Sequence, residues 1–156
     1  MSVALVACGD SGPSRAEYIA EADAFCKERN AEAKERNEKL QTIATEAHSE
    51  DEFFAKATPE LEEGLEWTRD GQEEFKDIEP PEADQETIDE LIAATDEEIA
   101  VLERVVEAVK QRDLDRFTDL INEQENIDDR ANAIAQDYGF KQCGSGANEA
   151  GVDAGA

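Results

Sequence analysis

The sequence predicts an all-α protein, folded as an antiparallel up-down-up-down four-helix bundle. Four segments place apolar residues at alternating steps of three and four, which is the spacing of one buried helix face. The connections between these segments are short, so consecutive helices are expected to pack as antiparallel neighbours. Only 6% of the residues are aromatic, so we expect Ala, Leu, Ile and Val to form most of the core.

The first helix is predicted to begin after Ser14 and to run to about His48, which we expect to be exposed at the helix end. Ser14 and Glu17 have the spacing of a capping box, in which each residue binds the backbone N–H of the other. Residues 27–39 are nearly all charged residues, Asn and Ala, so the middle of this helix is only weakly apolar. Its apolar positions are Ile19, Ala22, Cys26, Ala33, Leu40, Ile43 and Ala47.

A second capping box, Ser49 to Glu52, predicts that the next helix begins after a very tight turn. Pro59 lies inside this segment and predicts that the second helix is either kinked or split there. Residues 80–81 are both proline and end the segment. The apolar stripe consists of Phe54, Ala57, Leu61, Leu65, Phe75 and Ile78.

The third and fourth helices have the clearest patterns. The third is predicted over about residues 82–112, and the fourth begins near Asp113 or Asp115 and ends at Gly139 as its C-cap. Residues 144–156 are rich in Gly and Ala without periodicity, so we expect a disordered tail. The third stripe consists of Ile88, Leu91, Ile92, Thr95, Ile99, Leu102, Val106 and Val109. The fourth consists of Phe117, Leu120, Ile121, Gln124, Ile127, Ala131, Ile134 and Tyr138.

The chain is strongly acidic, with 41 Asp and Glu against 15 Lys and Arg and a formal net charge of −26. Nucleic-acid binding needs basic patches on the protein surface, so we expect no nucleic-acid partner. Peripheral attachment to anionic lipid also uses polybasic segments. Charge repulsion within the fold predicts that salt stabilises it.

Residues able to carry catalysis are scarce, so we predict that the protein is not an enzyme and has no cofactor or metal site. Di-iron bundles need two Glu-x-x-His motifs on separate helices, and this chain has a single histidine, His48. A nucleophilic Cys26 would lack a neighbouring general base for the same reason. No C-x-x-C-H haem motif is present.

The N-terminal run Leu5, Val6, Ala7, Cys8 resembles the lipobox of bacterial lipoproteins, and a polar stretch follows it at once. The resemblance implies that Cys8 is acylated and becomes the first residue of a mature protein anchored outside the cytoplasm, at the cell membrane. No segment approaches the roughly 18 apolar residues of a membrane span, so we expect attachment by lipid alone.

The stretch before Cys8 is shorter than a signal peptide and contains no Lys or Arg. On one interpretation the start codon lies further upstream, and residues 1–7 are the remnant of a lipoprotein signal peptide. On the other, the match is coincidental and the chain is a cytosolic helical interaction protein. The first interpretation predicts a tether over residues 8–13, a four-helix bundle over 14–143 and the tail over 144–156.

The other two of the three cysteines, Cys26 and Cys143, form a pair if Cys8 carries lipid. The predicted fourth helix has about 24 residues and spans roughly 36 Å, so antiparallel packing places its end level with Cys26. A disulfide between them is therefore consistent with the fold. Residues 14–24 of the first helix would then either overhang the bundle or receive the segment around Phe140. The alternative is two unpaired thiols.

A wider resemblance to small exported lipoproteins of actinobacteria rests on three motifs. These are the cysteine-ending stretch 18–26, the Pro-Pro-x-Ala-Asp sequence 80–84 and the Tyr-Gly-x-x-x-Cys-Gly sequence 138–144. The resemblance covers most of residues 5–144. Its motifs are structural, and it implies no enzymatic activity.

Asn30 and Asn37 are seven residues apart and share one helix face, as do Arg29 and Arg36. If that face turned inward it would line a polar cleft and give a small-ligand- or ion-binding lipoprotein. The alternative is that the long Arg side chains extend from the helix seam to water. We therefore expect a non-enzymatic surface lipoprotein with a cell-envelope or partner-binding role, whose partner the sequence does not identify.

Overall fold

The computed structural model describes residues 12–144, and four long α-helices make up nearly all of this part of the chain. No β-strand occurs within these residues, and the predicted all-α four-helix bundle is confirmed. Consecutive helices are neighbours, and α3 packs most extensively against α4. The helices are α1 (Arg15–Glu46), α2 (Glu50–Lys76), α3 (Gln85–Gln111) and α4 (Leu114–Tyr138), and a 3₁₀ turn, Glu82–Asp84, precedes α3.

The helix starts follow the capping residues of the sequence. Ser14 Oγ accepts from the N–H of Glu17, and the Glu17 carboxylate accepts from the N–H of Ser14 at 2.9 Å, which completes the predicted capping box. Ser49 Oγ accepts from the N–H of Glu52 at 3.2 Å. The second box is only half formed, because the Glu52 carboxylate accepts from the N–H of His48.

Pro59 does not split α2, which runs unbroken from Glu50 to Lys76. Phe54 and Ala57, in the turn before it, are fully packed in the core. Thr58 Oγ1 also donates a hydrogen bond of 2.6 Å to the Phe54 carbonyl. Tertiary packing on the preceding turn thus keeps the helix continuous where a proline removes one backbone donor.

The ends of α3 and α4 both use left-handed backbone. Gly139 has a φ of 112° and is the C-cap of α4, as its position predicted. Arg112 ends α3 with a φ of 58°, a conformation that side-chain-bearing residues rarely adopt. The α-helical part of α3 begins at Gln85 rather than near residue 82, because Glu82–Asp84 forms the 3₁₀ turn.

The core has three clusters along the bundle. At the end that contains residues 12 and 144, called the terminal end, side chains of α1, α3, α4 and the segment after α4 pack together. The middle is formed by aliphatic residues of α3 and α4. The opposite end, called the turn end, contains the α1–α2 and α3–α4 connections, where the Phe53 and Phe117 rings pack edge to face with their centroids 5.9 Å apart.

Candidate functional site

The two cysteines of the bundle meet at the terminal end. The sulfur atoms of Cys26, on α1, and Cys143, beyond α4, lie at the disulfide distance of 2.07 Å, and the two Cα atoms are 5.1 Å apart. This is the pairing that the cysteine count and the antiparallel geometry predicted. The bond joins positions 117 residues apart in sequence. It therefore ties nearly the whole bundle into one covalent loop.

The segment Gly139–Gly144, called the C-terminal clasp, folds back along α1. Three of its successive backbone N–H groups donate to the carboxylate of Asp23, from Lys141 at 3.0 Å, Gln142 at 2.8 Å and Cys143 at 3.2 Å. Hydrogen bonds to an ionised acceptor are about twice as strong as neutral ones. The carboxylate of Asp23 thus fixes the backbone of the clasp beside the disulfide.

A second polar contact joins the clasp to α1 one helical turn beyond Cys26. Asn30 Nδ2 donates to the carbonyl oxygen of Gln142 at 2.8 Å. Asp23, Cys26 and Asn30 are spaced by three and four residues, so they lie on one face of α1. One face of α1 therefore holds the clasp by a carboxylate, a disulfide and an amide in succession.

An aromatic cluster lies beneath the clasp. Phe140 packs 5.9 Å from the Tyr18 ring and 4.9 Å from the Tyr138 ring, centroid to centroid. Tyr18 is 1% exposed, and its hydroxyl has no hydrogen-bond partner in the described part of the chain. Burial raises the pKa of Tyr18 well above its ordinary value. Of the two arrangements that the antiparallel geometry allowed, the start of α1 therefore receives Phe140.

A buried carboxylate connects this cluster to α3. Asp84 is 8% exposed and forms an ion pair with Arg15. The Tyr138 hydroxyl donates to Asp84 Oδ2 at 2.9 Å, and the Arg15 guanidinium lies 4.8 Å from the Tyr138 ring centroid. The hydrogen bond from Arg15 lowers the pKa of Asp84. Burial, with the nearby Asp84 carboxylate, raises the pKa of Tyr138 to about 12.

The weakly apolar middle of α1 packs against α2 through a second polar arrangement, called the Arg–Trp seam. The guanidinium of Arg29 lies 3.7 Å from the ring centroid of Trp67 and donates to the Trp67 carbonyl, while Arg36 lies 5.4 Å from the same ring. Gly71 leaves the space that the Arg29 guanidinium fills. Cation–π stacking thus takes the place of an aliphatic contact here.

The structure separates the two asparagines proposed for a polar cleft. Asn30 is part of the clasp, through its bond to Gln142. Asn37 is half-buried two turns further along α1. The neighbouring Arg29 stacks on Trp67 and its side chain is only 18% exposed, so it does not extend into water.

Three of the sequence predictions concern the N-terminal and C-terminal segments, membrane attachment and metal binding. Residues 1–11, which include Cys8, and residues 145–156 of the tail predicted over 144–156 lie outside the described residues. Over residues 12–144, no helix has both the length and the apolarity needed to cross a bilayer. The same residues contain no group of three or more His, Cys, Asp or Glu side chains arranged to hold a metal ion.

Comparison of the chain with protein-family models, curated proteins and solved structures finds no match. The assignment of the site therefore rests on the geometry of these residues alone.

Two of the residues that form this site are absent from the sequence prediction. Asp23 precedes Cys26 by three residues, and that same-face spacing beside a cysteine was the available signal. Trp67 is the only tryptophan, and its contact with Arg29 joins two helices, so no local spacing reveals it.

Proposed function

We propose that the protein is a non-enzymatic lipoprotein, anchored outside the cytoplasm through an acylated Cys8, which presents a rigid helical bundle to a partner in the cell envelope. The observation that carries the proposal is the Cys26–Cys143 disulfide. Disulfides persist in oxidising compartments and are rare in the cytosol. The pairing uses two of three cysteines, so Cys8, at the end of a lipobox-like sequence, is the one left for acylation.

The position of α1 supports this proposal. The first helix begins at Arg15, only seven residues after Cys8. The intervening six residues reach at most about 20 Å when fully extended. Buried acyl chains contribute about 0.8 kcal/mol per methylene, so two or three chains form a firm anchor. The terminal end, with its clasp and disulfide, would then be the end nearest the membrane.

The described polar groups support a binding module rather than an enzyme. The carboxylates of Asp23 and Asp84 are engaged by backbone amides and by Arg15, and both contacts hold the fold together. His48 is exposed at the turn end, at the opposite end of the bundle from Cys26. The alternative of a ligand site at Asn30 and Asn37 is disfavoured because the amide of Asn30 already serves the clasp.

The test is metabolic labelling with a fatty acid, followed by fractionation, of the protein produced from its native locus. We expect the wild type to carry label and to sediment with membranes, and Cys8→Ser to lose both properties. The matched control is Cys26→Ser combined with Cys143→Ser, which should keep the label while losing the disulfide. Label that survives Cys8→Ser, or an unlabelled wild type, would contradict the proposal.

A further inference from the structure

The seam between α1 and α4 is the open one in the described part of the bundle. Backbone contacts join α1 to α2, α2 to α3 and α3 to α4, but very few join α1 to α4. Ion pairs follow the same distribution, and within residues 12–144 none joins α1 to α4. The three closed seams are bridged, in chain order, by Arg36–Glu63 and Lys39–Glu60, by Arg69–Glu103 and Lys110–Glu62, and by Arg104–Glu123 and Arg130–Glu97.

The face of α1 that borders this seam is identified by the clasp. Asp23, Cys26 and Asn30 bind the segment that follows α4. The positions of this face from Asp23 onwards are half-buried, but its last one, at the turn end, is exposed. The face thus loses its cover towards the turn end. It continues beyond Asn30, at steps of three and four residues, through Ala33, Asn37, Leu40 and Ala44.

The facing side of α4 shows the same change in burial. Gly144 of the clasp packs against Asn132 and Ala135, which are 9% and 1% exposed. Towards the turn end the face becomes half-buried, and Leu114, where it ends, is 40% exposed. Leu114 is the one exposed large apolar side chain within residues 12–144. The positions in between, at steps of three and four residues, are Asp128, Gln124, Ile121 and Phe117.

The open part of the seam, called the α1–α4 groove, is about three helical turns long. Residues 33–44 of α1 span roughly 17 Å at the rise of an α-helix. Leu40 and Phe117 pack on the buried residues of the turn end but are only half-buried themselves. A groove between two helices accepts the apolar face of another helix. The apolar lining consists of Leu40, Ala44, Leu114, Phe117 and Ile121.

The charge around the groove selects among possible occupants. Glu125 is exposed and Asp128 half-buried on the α4 border, while the α1 border carries Lys34. The arginines at this level of α3 and α4 bind other carboxylates. The whole chain has a net charge of −26, so a second copy would meet like charge and a basic partner would meet opposite charge. Charge complementarity therefore favours a basic occupant.

We propose that the α1–α4 groove docks a short, basic, amphipathic helix of a partner protein. Its apolar face would lie on Leu40, Phe117 and Leu114, and its Lys or Arg side chains would face the acidic border. This inference rests on the partner-binding role proposed above and gives that partner a chemistry. The clasp closes the seam at the terminal end, so the helix enters from the turn end, which the proposed anchor places away from the membrane.

The first test measures, by calorimetry, the binding of a synthetic amphipathic helix of Leu and Lys to the full chain carrying Cys8→Ser. This chain cannot be acylated, so the result is independent of the anchor and the two proposals fail separately. Ala44→Arg places a charged side chain in the groove and should weaken binding at least about tenfold. Ala31→Arg is the matched control, because it adds the same charge at an exposed position on the other side of α1. It should change binding by less than about twofold, since water and salt screen a distant charge.

The second test removes the exposed apolar side chain of the groove. Leu114→Ser should weaken binding of the same peptide about tenfold, because the remaining exposed surface of Leu114 is no longer buried against the peptide. A peptide of the same composition in scrambled order, without an apolar face, should bind weakly and equally to all variants. Equal weakening by Ala44→Arg and Ala31→Arg would overturn the proposal. A dimer of the wild type that Ala44→Arg dissociates would overturn it as well, since the groove would then belong to a second copy.

Discussion

Removing the disulfide should cost this protein a large part of its stability while leaving its helices in place. The perturbation is Cys26→Ser combined with Cys143→Ser. The bond closes a loop with a sequence separation of 117 residues. The chain-entropy relation then gives a stabilisation of about 5 kcal/mol, and measured values for native disulfides run from about 2 to about 5 kcal/mol. We expect a loss near the upper part of that range, because the bond spans almost the entire bundle.

The helices should persist because the clasp has other contacts with α1. The Asp23 carboxylate still binds three backbone N–H groups, and Phe140 still packs on Tyr18. The assay is urea unfolding followed by circular dichroism, with the oxidised wild type, the reduced wild type and the double variant compared. The reduced wild type should match the variant, and Cys8→Ser should unfold like the oxidised wild type. A loss below about 1 kcal/mol would refute the loop-closure reasoning.

Three further predictions concern Asp23, the two glycines of α2, and Asp84. Asp23→Ala removes the acceptor of three clasp amides and should cost about 2–3 kcal/mol in urea unfolding, whereas an unchanged midpoint would mean that the clasp is held without it. Gly71→Ala would displace the Arg29 guanidinium from the Trp67 ring, and the lost cation–π contact should offset the helix-propensity gain of about 1 kcal/mol. Gly64→Ala meets open space and should stabilise the fold by about 1 kcal/mol; an equal stabilisation at both glycines would contradict the packing account. Asp84 has a lowered pKa, so its contribution is present above its unfolded pKa and disappears as the pH falls through the folded value. Melting curves of the wild type and Asp84→Asn should therefore converge in acid, and a constant gap between them would refute this assignment.

The helices could be predicted from the sequence because the residues that begin and end them act on their near neighbours in the chain. Ser14 and Glu17 lie within one helical turn of each other, and Gly139 ends α4 by its own backbone freedom. Such signals act over three or four residues, and the sequence displays them directly. Of the kink or split predicted at Pro59, the split does not occur, because the packing of Phe54 against other helices outweighs the single missing donor.

The candidate site was only partly predictable. The Cys26–Cys143 pairing followed from counting cysteines and from antiparallel geometry. The carboxylate of Asp23 was not predicted, because its partners are backbone amides whose position depends on how the chain turns after α4. The Arg29–Trp67 contact depends on the side-by-side register of two helices, and a charged residue on a core-facing stripe gives no indication of its partner.

The structure also shows where the acidic side chains behind the net charge of −26 lie. Most acidic side chains of residues 12–144 lie on exposed helix faces, where water and salt screen them. Asp84 is the exception within the described residues, because it is buried beside Arg15 and Tyr138. Sequence composition alone could not distinguish Asp84 from the remaining carboxylates.

The intact mass of the protein produced from its native locus, measured with and without reductant, tests the lipid anchor and the disulfide most directly. We expect a chain that begins at Cys8, carries acyl groups and gains the mass of one pair of hydrogen atoms on reduction. That result would establish both the anchor and the disulfide in a single measurement. An unacylated chain that retains the residues before Cys8, with all three thiols free, would contradict it.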